Sequence, residues 1–150
     1  MKNRVEWEER YRSCLSACES MIRIEHVALW TLDIERLVDF YCRYFNAAAG
    51  DKYVNRTKGF ESRFLRFEDG ARLEVMKSST VDAVMHEAGA QRMGLTHLAV
   101  SVGSVERVDE LTEILRRDGF AAIDGPRRTG DGYYESVILD PDGNRIEITV

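Results

Sequence analysis

The last residues of the chain alternate between polar and apolar side chains. In residues 145–150 (Arg-Ile-Glu-Ile-Thr-Val) the isoleucines and the valine take one face of a predicted strand, and the other three residues take the opposite face. A turn precedes this strand, because residues 140–144 (Asp-Pro-Asp-Gly-Asn) hold a proline, which presets one backbone angle, and two residues that tolerate a positive φ. The strand therefore places one carboxylate, that of Glu147, opposite an apolar stripe.

Two phrases of the sequence occur twice. Residues 69–75 (Asp-Gly-Ala-Arg-Leu-Glu-Val) match residues 142–148 (Asp-Gly-Asn-Arg-Ile-Glu-Ile), and residues 25–29 (Glu-His-Val-Ala-Leu) match residues 96–100 (Thr-His-Leu-Ala-Val). The histidines of the two copies are 71 residues apart, and the glutamates are 73 residues apart. Two markers that repeat with nearly one period predict an internal duplication. Each copy is short for an independent domain, so we predict two half-domains that share one core.

Both copies predict the order strand–helix–strand–strand–strand, which makes an α+β fold. In the first copy we predict a strand at 22–30, a helix that Asp33 caps and that ends at Asn46 and Gly50, strands near 51–57, 60–67 and 71–77, and turns at Lys58-Gly59 and Asp69-Gly70. In the second copy we predict a strand at 95–102, a helix from Ser104 to Gly119, and strands near 120–127, 133–139 and 145–150. Each helix should cover one face of its sheet, and the other face should line a cavity.

The duplication sets the domain organisation. We interpret residues 21–150 as one domain with half-modules at 21–77 and 95–150 and a weakly patterned linker at 78–94. Residues 1–20 precede the duplication, and apolar residues at helical spacing in them predict an amphipathic helical extension.

Composition narrows the classes of function. The chain has 150 residues, of which 44% are hydrophobic and 31% charged, and a formal net charge of −5. These values are typical of a globular protein with one core. The acidic balance argues against a nucleic-acid partner, and the apolar runs are too short to span a membrane. The charged start lacks the apolar stretch of a signal peptide, and three cysteines without disulfide-like spacing favour reduced thiols, so we expect a cytoplasmic protein.

The candidate chemistry lies in the repeated phrases, which hold His26, Glu74, His97 and Glu147. A lone histidine in a strand is more often a core or surface residue, but these four residues occupy matched places on the more polar strand faces. Pseudo-twofold symmetry would bring like positions together, and two partly desolvated carboxylates then need a proton or a cation between them. A divalent ion with neutral imidazoles balances both charges, so we predict an open metal site with these four ligands. His86, in the linker, has no counterpart.

These phrases resemble those of the vicinal oxygen chelate superfamily, which includes glyoxalase I, bleomycin-resistance proteins and extradiol dioxygenases. The resemblance covers about residues 21–150 and rests on His26-x-Ala28, Asp39-Phe40-Tyr41, residues 94–99 (Gly-Leu-Thr-His-Leu-Ala) and residues 140–147. It implies two βαβββ modules that form a U-shaped mixed sheet around one divalent metal ion (zinc, nickel, cobalt, manganese or iron), a small-molecule substrate and a homodimer. The complete His, Glu, His, Glu set is most similar to that of glyoxalase I.

Two positions depart from the pattern of bacterial-type glyoxalase I. Trp30 stands where that pattern has an arginine that helps to hold glutathione, and Ser78 stands where it has an asparagine. Both differences weigh against a glutathione hemithioacetal as the substrate. Trp30 is explained equally well as an aromatic cavity wall and as a plain core residue.

Three hypotheses of function follow. The first is a metal-dependent isomerase or lyase that transfers a proton next to a carbonyl, with Glu147 as the first choice of base and Glu74 as the symmetric alternative. The second is a protein that binds a drug or metabolite without turnover, and the third is an iron-dependent extradiol-type dioxygenase. Side chains that could hold an anionic substrate, or that are equally well explained as exposed residues at strand edges, are Arg63, Arg127, Arg128, Tyr133 and Tyr134. The sequence leaves open the substrate, the metal, and whether a site is built within one chain or across two.

Overall fold

The predicted duplication is visible in the order of the elements. The computed structural model describes residues 22–82 and 93–150. The first module holds β1 (His26–Trp30), α1 (Ile34–Phe45), β2 (Ala48–Asn55), β3 (Phe60–Arg66) and β4 (Arg72–Ser78). The second module holds β5 (Leu98–Ser101), α2 (Val105–Arg117), β6 (Ala122–Arg128), β7 (Tyr134–Leu139) and β8 (Arg145–Thr149). Two βαβββ modules are therefore confirmed, whereas the predicted extension at 1–20 and His86 lie outside the described residues.

The two sheets have the same topology. The strand orders are β1-β4-β3-β2 and β5-β8-β7-β6. In each module the first strand pairs in parallel with the last strand, and the other pairs are antiparallel. A parallel pair needs a crossover connection, part of which the helix supplies. As a result β1 and β5 are edge strands within the described residues.

The helix ends follow from local sequence. The Asp33 carboxylate accepts a hydrogen bond from the backbone N–H of Arg36 at 3.1 Å, and Asn46 ends α1 with a φ of 53°. Gly50, which the sequence suggested as part of this exit, lies inside β2, where the register with β3 shifts. That prediction is wrong because the left-handed Asn46 already completes the turn, and the glycine serves the irregular pairing instead. Neither described helix is long and apolar enough to cross a bilayer.

One apolar face of each sheet packs under its helix. In β8, Ile146 and Ile148 are fully buried, which agrees with the alternation in the sequence. Each such side chain contributes roughly 1.5–3 kcal/mol by leaving water. The buried core also contains Leu37, Val38, Tyr41, Leu65, Leu73, Val75, Val108, Leu111, Leu115 and Ile138.

The two modules meet through α1. Phe40 packs against Phe120, with ring centroids 4.9 Å apart. The Tyr41 hydroxyl donates to Oδ2 of Asp140 at 3.1 Å. In the described parts of the chain no strand of one sheet pairs with a strand of the other. The modules are thus joined on the helix-covered side, and the edges at β1 and β5 stay open.

Candidate metal centre

The first histidine–glutamate pair lies on the open face of the first sheet. The parallel register places Ala28 opposite Glu74, and His26 lies two residues before Ala28 on the same face. Nε2 of His26 is 3.9 Å from Oε2 of Glu74. The imidazole is 41% exposed and the carboxylate 15% exposed. The imidazole is therefore accessible, while the carboxylate is largely removed from water.

The second pair repeats this arrangement. Ala99 lies opposite Glu147 in the parallel pair of β5 and β8, and His97 directly precedes β5. Nε2 of His97 is 3.3 Å from Oε2 of Glu147. The exposed fractions, 39% for the imidazole and 18% for the carboxylate, are close to those of the first pair. The two histidine–glutamate pairs, which occupy matched positions in the sequence, thus have similar distances and similar exposed fractions.

The structure does not join the two pairs within one chain. Among residues 22–82 and 93–150, no group of three or more histidine, cysteine, aspartate or glutamate side chains lies close enough to hold one metal ion. Each pair by itself fits half of a site, because two ligands about 2.1 Å from one cation are at most about 4.2 Å apart. The donor chemistry of both pairs therefore fits a divalent cation, and the four-ligand site stays a prediction.

His26 is held by neighbours that the sequence analysis did not single out. Oε2 of Glu25 is 2.5 Å from Nδ1 of His26, and Oε1 of Glu25 accepts from Nε of Arg72 at 2.7 Å. The hydrogen bond with His26, followed by the contact with Arg72, holds the pKa of Glu25 below its ordinary value. The sequence could have indicated this contact, because a charged residue, Glu25, directly precedes the first histidine where the second copy has Thr96.

Negative charge gathers around Glu147. Partial burial raises the pKa of the Glu135 carboxyl, and the nearby charge of Glu147 raises it further. Arg127 lies on the same face, but its Nη2 is 2.5 Å from Oδ2 of Asp124 and 3.6 Å from Oε1 of Glu135. The guanidinium is thus shared between two carboxylates. A cation near Glu147 would lower the repulsion that remains.

An aromatic row borders the first pair. Trp30 meets Phe60 edge-on, with ring centroids 6.2 Å apart, and Tyr53 lies 6.2 Å from Phe60 on the other side. Trp30 follows His26 by four residues on the same face of β1, a distance of about 13 Å along a strand. Because Trp30 is 46% exposed, it is not a plain core residue. That it lines a substrate cavity stays a prediction.

Three of the side chains proposed for an anionic substrate lie on the helix-covered faces. Arg63 donates to Oε2 of Glu35 at 2.9 Å, and the Tyr134 hydroxyl donates to Oδ1 of Asp109 at 2.7 Å. Arg128 lies over the Tyr134 ring. Arg63 and Tyr134 thus connect their sheets to the helices, and strand alternation directs all three side chains away from the face of the histidines. Arg127 is on that face, and Tyr133 is exposed in the turn before β7.

A cavity of about 700 Å³ lies between the modules. Its walls include Val27, Leu73, Leu98 and Val100, and none of the four candidate ligands lines it. Val27 directly follows His26 and Leu73 directly precedes Glu74, so alternation places them on the other face. The walls also include Arg72, Ala99 and Ser101, which lie on the face of the histidines, so the cavity borders both faces of the strands next to the two pairs.

The fold is thus a duplication of one βαβββ module, and each copy carries a histidine–glutamate pair on its open face. A family model described as the Glyoxalase/Bleomycin resistance protein/Dioxygenase superfamily matches residues 23–148. The chain belongs to this superfamily, which confirms the resemblance seen in the repeated phrases.

Individual proteins resemble the chain in sequence or in fold. The chain is 26% identical over 128 residues to the uncharacterized protein YqjT of Bacillus subtilis (strain 168), which covers 83% of this chain and 96% of that protein. A glyoxylase/bleomycin resistance protein/dioxygenase domain from Frankia sp. EAN1pec superposes with a TM-score of 0.73 at 18% identity, covering 87% of this chain and 98% of that one. Glyoxalase I from Zea mays gives a TM-score of 0.67 at 21% identity, covering 85% of this chain and 44% of that one. The chain thus spans less than half of the maize enzyme, and the likeness to both structures shows the fold alone.

Proposed function

We propose that the protein is a metal-dependent, glyoxalase-like isomerase or lyase that moves a proton next to a carbonyl group of a small molecule. The observation that carries this proposal is the matched pair of half-sites. In each, an accessible imidazole nitrogen lies 3.9 Å or 3.3 Å from the oxygen of a largely buried carboxylate. Membership of the superfamily and the fold shared with glyoxalase I of maize support the same class of reaction.

The ligands would be His26, Glu74, His97 and Glu147. A divalent metal ion held by them would act as a Lewis acid on two neighbouring oxygens of the substrate. Glu147 is the proposed base, because a carboxylate oxygen next to the reacting carbon can accept its proton. Glu147 lies close enough to Glu135 for its charge to raise the pKa of the Glu135 carboxyl further above its ordinary value. Glu74 is the alternative base.

We propose that a second copy of the chain completes each site. Ile24 and Leu95 stand two residues before the two histidines, and they are 71% and 69% exposed. They lie beside the open edges at β1 and β5, and exposed apolar side chains beside an unpaired edge favour a protein partner. A homodimer in which the first sheet of each chain faces the second sheet of the other would unite unlike pairs in two equal sites.

The aromatic row supports the kind of substrate. Trp30, Phe60 and Tyr53 offer ring surface on the same face as the first pair. Such an aromatic surface binds an apolar or aromatic group better than it binds the charged groups of glutathione. We therefore propose a substrate that joins two neighbouring oxygens to an apolar group.

The test is the metal content of purified protein together with turnover. Wild type should hold about one divalent ion per chain, and Glu74→Ala/Glu147→Ala should hold almost none. The control is Glu61→Ala, which removes a strand carboxylate that binds Lys52 at 2.6 Å on the helix-covered face and should keep the metal. Glu147→Gln should keep the fold and lose activity towards small α-hydroxy carbonyl compounds that carry an apolar group. Wild type without metal after soaking with nickel, zinc, cobalt and manganese would overturn the proposal in favour of a binding protein.

A further inference from the structure

The two half-sites differ in the residue before each histidine. Glu25 precedes His26, whereas Thr96 precedes His97. Glu25 is fixed at two points, because the backbone N–H of Arg72 donates to its carbonyl oxygen at 3.0 Å and Nε of Arg72 donates to Oε1 at 2.7 Å. The second carboxylate oxygen, Oε2, is 2.5 Å from Nδ1 of His26. One carboxylate thus lies between an anchored cation and the imidazole.

This contact dictates which nitrogen of His26 carries the hydrogen. An ionised carboxylate only accepts hydrogen bonds, so Nδ1 has to be the donor. In a neutral imidazole the lone pair is then on Nε2, which is the atom 3.9 Å from Glu74. His97 lacks this constraint, because its ionic contact in the described parts of the chain is through Nε2 to Glu147. A threonine hydroxyl both donates and accepts, so Thr96 does not select a tautomer.

The plane of the His26 ring is fixed as well. Phe64 packs against the imidazole with ring centroids 5.4 Å apart and an angle of 89° between the planes. The Arg72 guanidinium lies 4.0 Å from the centroid of the Phe64 ring. His26, Glu25, Arg72 and Phe64 therefore form a closed cycle in which each side chain contacts the next. The arginine has a counterpart in the second module, Arg145, but the carboxylate does not.

We propose that Glu25 is a positioning residue that holds His26 in the Nδ1–H tautomer with its Nε2 lone pair directed to the Glu74 side. A carboxylate behind a metal-binding imidazole orients the ring and strengthens it as a ligand. The first module is then the preorganised half of the site, and the second module is the adjustable half. The tautomer is a property of the chain itself, whereas its effect on metal affinity rests on the proposed function.

The first arm of the test measures the tautomer in metal-free protein. Long-range ¹H–¹⁵N spectra of histidine-labelled protein, recorded at about pH 8.5, report which nitrogen of each imidazole carries the hydrogen. His26 should be the Nδ1–H form in wild type and in Thr96→Ala, and Glu25→Ala should shift it towards the Nε2–H form. Glu25→Gln should fall between them, because its one carbonyl oxygen cannot serve both Arg72 and His26. An unchanged tautomer in Glu25→Ala would overturn the proposal.

The second arm measures affinity for nickel or zinc by competition with a chelator. Glu25→Ala should weaken binding by about 10- to 100-fold, and Thr96→Ala should leave it within about threefold of wild type. Equal losses in both variants would contradict a role specific to Glu25, and thermal unfolding of each variant checks that the fold is kept. If wild type binds no metal, the proposed function fails, yet the tautomer still decides whether Glu25 positions His26.

Discussion

A site shared between two chains can be tested by complementation between two inactive variants. One variant, His26→Ala/Glu74→Gln, loses the first pair, and the other, His97→Ala/Glu147→Gln, loses the second pair. The four residues form two separate pairs within one chain, 3.9 Å and 3.3 Å across, so each variant keeps one pair intact. Neither variant alone should bind metal or turn over substrate, because every site in its homodimer lacks half of its ligands.

The fraction of intact sites that mixing should restore follows from how the two chains pair. In a heterodimer of the two variants one site loses both pairs and the other keeps both. Random mixing of equal amounts produces heterodimers in about half of the dimers, each with one site of two intact, so about one quarter of the wild-type sites should return. A site built within a single chain predicts no recovery at any mixing ratio.

Two affinity tags on the variants allow the heterodimer to be isolated after co-expression. It should hold about one metal ion per dimer, against two in wild type, and its activity per dimer should be about half. Each singly tagged homodimer, purified in the same way, is the control. A heterodimer without metal, beside a wild-type protein that binds it, would refute the shared site. So would a wild-type protein that sediments as a monomer and still binds one ion per chain.

Two further predictions concern the stability of the fold, at a contact between the modules and inside the second sheet. Tyr41→Phe removes a hydrogen bond to Asp140, a carboxyl whose pKa is raised above its ordinary value of 3.8 by burial. In urea titrations the variant should lose about 1–3 kcal/mol of the free energy of unfolding. Because the lost bond favours the ionised carboxylate, the full loss is expected above the folded-state pKa of Asp140, and the loss should shrink as pH falls towards 3.8. An equal loss at pH 3 would contradict this reading. Gly125→Ala should cost about 2–4 kcal/mol in the same assay, since φ is +70° and a Cβ would lie 2.4 Å from a backbone oxygen, whereas Gly130→Ala has open space and should change little; similar effects of the two would refute the steric argument.

Much of the fold could be predicted because local rules decide it. The period of two in residues 145–150 gave the buried face of β8, and the caps at Asp33 and Ser104 lie where the sequence places them. The duplication predicted that both modules share one topology, and they do. Gly50 was misread because a glycine after a helix and a glycine in an irregular strand pair look alike in sequence.

The candidate site was only partly predictable, for a physical reason. Alternation fixes which side chains share a face, so it placed the four candidate ligands on the more polar faces of their strands, whereas the division into two separate pairs was not predicted. It says nothing about the angle between two modules, which depends on long-range contacts such as those of Phe40 with Phe120. Arg63 shows the same limit, because its partner Glu35 is 28 residues away and on another element.

The duplication also explains why the two halves of the site need not do the same work. Each module repeats a histidine, an arginine and a glutamate, so each repeat by itself carries a possible half-site. The copies then differ around these residues: the first has Glu25 behind its histidine and an aromatic row beside it, and the second has acidic neighbours around Glu147. A ring held in one tautomer suits a permanent ligand, whereas Glu147 lies near a second carboxylate, that of Glu135. Under the proposed function, these differences favour the first module as the holder of the metal and the second as the source of the base.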